Sequence, residues 1–168
     1  IELCSILDVN YKTALLLESK CRILMSLSNS DKLLNSLFYE ADVFNIGAKS
    51  KNKAGRASEQ QPVLGILSTD KENNYPRFIK LRLINDYTGL SLKKNIEQCC
   101  LLSNDSLLNT DGEKGFNTLK EEIQVKNEKI SYEERDHRLF WLNIIIGNIK
   151  NNITGIYHGI TKREMPLF

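Results

Sequence analysis

Three strand-like runs in a row, then helix, strand, helix, strand and helix, is the order that most restricts how this chain can fold. The strands are read at Leu37–Phe44, Pro62–Ser68 and Arg77–Ile84, each rich in apolar residues and bounded by turn-forming ones. Lys49-Ser-Lys-Asn-Lys-Ala-Gly-Arg56 separates the first two, and Asp70-Lys-Glu-Asn-Asn74 separates the second and third. Leu90–Leu102 carries Leu92, Ile96, Cys99 and Cys100 at helical spacing. Ser106–Thr110 reads as a fourth strand ending at Asp111-Gly112, Phe116–Lys120 as a short helix, and Ile123–Val125 as a fifth strand. The charged stretch Lys126–Arg138 reads as a solvated loop before a last long helix, from about Arg138 to Ile153. Such an order asks for one mixed sheet with helices packed on its faces.

Upstream of the sheet, residues 1–28 read as helical, with a break at Asp8-Val-Asn10 and Asn10 placed to cap the second helix. Helix, tight turn and helix is the skeleton of a helix-turn-helix, in which Tyr11, Lys12 and Thr13 would lead the second helix into a groove of DNA. An ordinary helical hairpin fits the pattern equally well. Residues 28–36 are polar and read as a linker.

The bulk numbers exclude little. At 168 residues the chain suffices for one core of ordinary size. A net charge of +2 permits nucleic-acid binding without announcing it. The four cysteines, Cys4, Cys21, Cys99 and Cys100, form no Cys-x-x-Cys pair, so a structural zinc site is not expected and reduced, partly buried thiols are. No apolar run nears the roughly 20 residues that span a bilayer. The sequence opens at Ile1, without a Met, inside what reads as a helix, and an incomplete or trimmed reading frame is expected.

Three places in this pattern carry chemistry. Asp42 lies in Phe38-Tyr-Glu-Ala-Asp-Val-Phe-Asn-Ile-Gly47, where alternation puts Glu40 and Asp42 on one face and Tyr39, Ala41 and Val43 on the other. An acid inside an apolar strand is costly unless paired or metal-bound; an edge strand facing water is the alternative. Asp111 closes the fourth strand in Leu107-Leu-Asn-Thr-Asp-Gly112, which by itself is also an ordinary turn. On the last helix the apolar arc spans roughly 140–160°, with Asn148 at one border and Lys150 at the other. Two further features are basic or polar: the loop bearing Lys49, Lys51, Lys53 and Arg56, suited to phosphate contact or simply solvated, and the pair Tyr157 and His158 in Thr154-Gly-Ile-Tyr-His-Gly159, which can touch DNA backbone or pack the turn.

Taken together, the apolar helix with Asn-x-Lys, the following Gly-x-Tyr-His-Gly, the Glu-x-Asp segment ending at Gly47 and Thr110-Asp-Gly112 resemble the ISXO-like insertion-sequence transposases. These are DDE enzymes whose site is read as Asp, Asp, Asn and Lys. The resemblance runs through Ile6–Met25, Tyr39–Gly47, Pro62–Gly65, Thr110–Gly112 and Leu139–Phe168. It implies an α/β, RNase H-like mixed sheet flanked by helices over residues 37–168, with the first and fourth strands adjacent, and a helix-turn-helix-like segment over 1–30. It implies metal ligation by Asp42, Asp111 and Asn148, with Lys150 near a DNA phosphate. The cofactor implied is two Mg²⁺ or Mn²⁺ ions roughly 4 Å apart. The partner implied is DNA, at element ends and target, with a homodimer in the synaptic complex and no membrane. Lys12, Thr13, Lys51, Lys53, Arg56, Tyr157 and His158 are the DNA contacts this reading selects, in a cytoplasmic enzyme that is nucleoid-associated if prokaryotic.

Two positions depart from the family pattern: Val43 stands for a glutamate, and Asn143 stands where a histidine is usual. The family's upstream zinc ribbon and its Arg- and Asn-bearing terminal helix are not within these residues, which leads to an expectation of impaired end recognition. The alternatives are a catalytically inactive DNA-binding remnant, or an RNase H-like nuclease that needs no helix-turn-helix.

Overall fold

A computed structural model of the chain describes residues 2–30, 32–47, 60–70, 75–127 and 139–155. The chain divides into two compact units, with Lys32 the last residue of the N-terminal helical stretch and Leu33 the first of the sheet-bearing unit.

The first unit holds α1 (Glu2–Leu7) and α2 (Tyr11–Ser30). Between them Asp8 takes a positive φ of 50°, a conformation that Asp tolerates better than most residues. Asn10 caps α2 as its position suggests: its Oδ1 accepts from the Thr13 backbone N–H at 2.9 Å and from the Thr13 hydroxyl at 3.1 Å. The expected linker at 28–36 is corrected here. α2 continues to Ser30, because Ser and Asn weaken a helix end without stopping it as Gly or Pro would.

The second unit is built on a five-stranded sheet. Its long strands are β2 (Phe38–Ile46), β3 (Gln61–Thr69) and β4 (Pro76–Leu83), followed by β6 (Leu107–Thr110) and β7 (Gln124–Asn127), in the spatial order β4-β3-β2-β6-β7. β2 pairs antiparallel with β3 and parallel with β6, so the first and fourth long strands are neighbours, as expected. β3 pairs antiparallel with β4, and β6 parallel with β7. Helices α3 (Gly89–Glu97) and α4 (Phe140–Gly155) complete the unit, with a 3-10 helix at Lys114–Leu119. This is the mixed α/β architecture of an RNase H-like fold.

Strand alternation splits the apolar residues between two clusters. Tyr39, Ala41, Leu64, Ile66 and Leu108 pack with Leu92 and Ile96 of α3 and with Phe116 and Leu119 of the 3-10 helix. Phe44, Val63 and Leu67 face the other way, onto Leu142 and Ile146 of α4. Glu40, Asp42 and Phe44 therefore point toward α4.

Two local expectations are corrected. The helix anticipated to Leu102 ends at Glu97, and Cys100–Leu101 becomes a short strand, β5, paired parallel with β1 (Leu34–Asn35). The buried Tyr39 hydroxyl decides this, lying 3.1 Å and 3.0 Å from the carbonyls of Leu34 and Leu101 and accepting from the Ser36 N–H at 3.0 Å. The short helix near Phe116 is 3-10, whose three-residue repeat buries Phe116 and Leu119 on one side. Among the described residues no helix is long and apolar enough to cross a membrane. The four cysteines are free thiols, Cys99 and Cys100 buried as small hydrophobes.

Candidate active site

Asp42 is the fifth residue of β2, and the strand pairing carries it to Asp111. β2 and β6 are in register from Phe38–Leu107 to Ala41–Thr110. One step further along the same register, Asp42 comes beside Asp111, the first residue after β6. Gly112, at φ 96°, then turns the chain away, a conformation that a side chain would strain. The turn is fastened from behind. The Thr110 hydroxyl donates to Asn127 Oδ1 at 2.7 Å, while the Asn127 amide donates to the Glu113 carbonyl at 2.8 Å and to Asn117 Oδ1 at 3.0 Å. Asp111 itself accepts from the Glu113 N–H at 3.3 Å.

Gly65 stands directly opposite Asp42 on β3. A Cβ there would meet Phe44 at 3.3 Å and Leu142 at 3.4 Å, so the glycine lets α4 lie close over the strand that carries the acid.

The electrostatics follow from this placement. Burial pushes the Asp42 carboxyl from 3.8 up to about 6, and the Asp111 charge and a hydrogen bond between the two carboxyls push the same way. The Val43 backbone N–H and the Lys150 ammonium oppose the shift. Glu40, on the same face of β2, is buried and raised from 4.5 to about 7, also by desolvation, opposed by a hydrogen bond from the Leu142 N–H at 3.0 Å. Two acids within hydrogen-bond reach, one of them raised by burial and by its neighbour's charge, form an arrangement that a divalent cation relieves, and carboxylate oxygens are the ligands Mg²⁺ prefers. The residues present thus fit such an ion. Among the described residues no three of His, Cys, Asp or Glu converge on one point.

α4 supplies the remaining groups from two different sides. Lys150 Nζ sits over the Phe44 ring, 5.4 Å from its centre, and its charge reaches Asp42. Trp141 faces the opposite way, packing on Tyr75 beside β4 with ring centres 6.1 Å apart. Residues seven apart on a helix lie about 20° from one another around the axis. Asn148 therefore shares the Trp141 side, and Asn143 shares the Lys150 side; both are exposed. Neither Asn143 nor Asn148 is among the groups that move the Asp42 carboxyl. Asp111 and Lys150 both act on the Asp42 carboxyl; by helical phase Asn148 lies on the Trp141 side of α4. The spacing Asn143-x6-Lys150 was the available signal for the residue that shares the lysine's face, whereas the partners of Glu40 and Asn127 left no trace in the sequence.

Of the DNA contacts expected, Lys12 is exposed at the start of α2, and the Thr13 hydroxyl is engaged in the Asn10 cap. Lys51, Lys53, Arg56, Tyr157 and His158 lie outside the described residues.

An RNase H-like sheet with one acid on β2 and another just past the end of the neighbouring β6 is the general architecture of a DDE-type nuclease or strand-transferring domain. The sequence matches the model of the ISXO2-like transposase domain over residues 37–167, and the chain belongs to that family. No curated protein matches it significantly. Membership brings a transposase role, DNA as the partner and the divalent metal that DDE transposases normally use.

Proposed function

We propose that this chain cleaves DNA at the ends of an insertion sequence and joins the freed strands to a target. Asp42 and Asp111 would hold two divalent ions, Mg²⁺ or Mn²⁺, with Asn143 giving the third oxygen in place of Asn148. When bound, such ions supply charge neutralisation at the phosphate and a more acidic attacking hydroxyl or water. Asp42 must give up its proton to ligate, and the Lys150 ammonium favours that ionisation. Lys150 also offers a positive charge to the incoming phosphate from the same side of α4. Asp42 is half-buried while Asp111 and Lys150 are exposed, so a phosphate can reach the site from solvent. A homodimer synapsing two DNA ends, working on DNA at the nucleoid, is the assembly this reading requires.

The observation that carries the proposal is the pairing of Asp42 with Asp111, 69 positions apart in the chain, at adjoining strands. The test is nicking and joining of a duplex bearing the element end, with Mg²⁺ present. Asp42→Asn and Asp111→Asn are each expected to lower the rate on the order of 10³-fold or more. Asn143→Ala is expected to slow turnover and raise the Mg²⁺ requirement, and Asn148→Ala to do neither. Undiminished activity in either aspartate variant refutes the assignment. Salt-sensitive DNA binding with no turnover in the unaltered chain would leave a DNA-binding remnant instead.

A further inference from the structure

Helix α4 lacks an N-cap of its own. The Asn143 N–H donates to the Leu139 carbonyl at 2.9 Å, which makes Leu139 the N-cap residue of the helix. Such a residue normally satisfies a free N–H of the first turn through its side-chain oxygen, and leucine has none. The missing acceptor comes from the sheet: Glu40, two positions before Asp42 on the same face of β2, accepts from the Leu142 N–H at 3.0 Å. Glu40 is only 4% exposed, an expensive place for a carboxyl unless that bond is required.

A second contact shows what the bond controls. Eight residues after Leu142, the Lys150 ammonium lies over Phe44, four residues after Glu40. Four strand residues advance about 13 Å, and eight helical residues about 12 Å. The two contacts close together only because α4 runs alongside β2 in the same direction, in one axial register. A slip of one residue would shift α4 by about 1.5 Å and turn its side chains by about 100°. The apolar contacts of Leu142 and Ile146 with Phe44, Val63 and Leu67 have no comparable directionality, whereas a hydrogen bond does.

We infer that Glu40 is a positioning residue whose carboxylate pins the first turn of α4 to β2, and so sets the register that holds Lys150 and Asn143 alongside Asp42. The anchor itself stands on the fold; its consequence for turnover rests on the function proposed above.

The test compares Glu40→Gln with Glu40→Met in the full chain. Glutamine keeps an oxygen that can accept from Leu142. Methionine fills a similar volume without an oxygen acceptor and spares the fold a buried carboxyl. Glu40→Met is expected to melt no lower than the unaltered protein, to lose hydrogen-exchange protection at the Leu142 amide, and to bind Mn²⁺ with little change. Its turnover at saturating metal and DNA should nonetheless fall on the order of 10²-fold. Glu40→Gln should retain both the amide protection and most of the turnover. Turnover in Glu40→Met equal to that of the unaltered chain overturns the inference, and so does an unchanged Leu142 exchange rate. Absence of turnover in the unaltered chain counts against the proposed function alone, and the exchange measurement still decides the anchor.

Discussion

Glu40 and Asp42 share one face of β2, and burial raises both, to about 7 and about 6. Each folded-state pKa lies above its ordinary value, 4.5 for Glu40 and 3.8 for Asp42, so between those limits the folded chain holds protons the unfolded chain has lost. The contribution of these groups to stability is therefore greatest at low pH, falls as pH rises from about 4 to about 7, and is level above that. Each group can contribute at most about 1.4 kcal/mol per pH unit within its window. Urea midpoints of the metal-free protein should reflect this decline, and Glu40→Gln should flatten its upper part. Added Mg²⁺ should raise the midpoint more at about pH 8 than at about pH 5, since a proton and a cation compete for Asp42. An Mg²⁺ effect larger at the lower pH would contradict this account of the acid pair.

At the scale of elements, the sheet is held in place by single buried polar groups. Tyr39 reaches across from β2 to bind the carbonyls of both β1 and β5, which fastens the small parallel pair to the main sheet. Removing its hydroxyl leaves those carbonyls and the Ser36 N–H without that partner. Tyr39→Phe is accordingly expected to cost about 1–3 kcal/mol in denaturant unfolding, with hydrogen exchange at Leu34 rising more than at Leu64 in the centre of the sheet. Asn127 plays the matching part at β7, tying Thr110, Glu113 and Asn117 around the turn that presents Asp111. Helix α4 completes the set, since its Lys150 side faces the acids and its Trp141 side faces β4.

For the whole molecule, the division into two units has an experimental consequence. Among the described residues, both apolar clusters of the sheet-bearing unit are drawn from positions after Leu33. A fragment starting at Leu33 is therefore expected to unfold in one cooperative transition, measured by circular dichroism, and to retain the Mg²⁺ response of the acid pair. If α1 and α2 bind DNA, that fragment should also bind an end-containing duplex more weakly than the full chain, by titration at fixed salt. A fragment that failed to fold would show that residues 1–32 complete the core of the sheet.

Much of this is legible in the sequence alone. Strand alternation settled that Glu40 and Asp42 share a face, because the side-chain period of a strand is a local property. The spacing of α4 likewise settled that Asn148 and Lys150 stand at opposite borders of its apolar arc, since helical phase depends on sequence separation alone. The order of elements, read through the RNase H-like fold that the family resemblance implies, placed the first and fourth long strands together. What local rules could not contain were choices made between distant segments. Which border of α4 meets the acids, where the helix anticipated to Leu102 gives way to β5, and that Leu139 borrows its cap from Glu40 were all decided by packing. Those contacts join residues tens of positions apart, and their energies exist only once the sheet has formed.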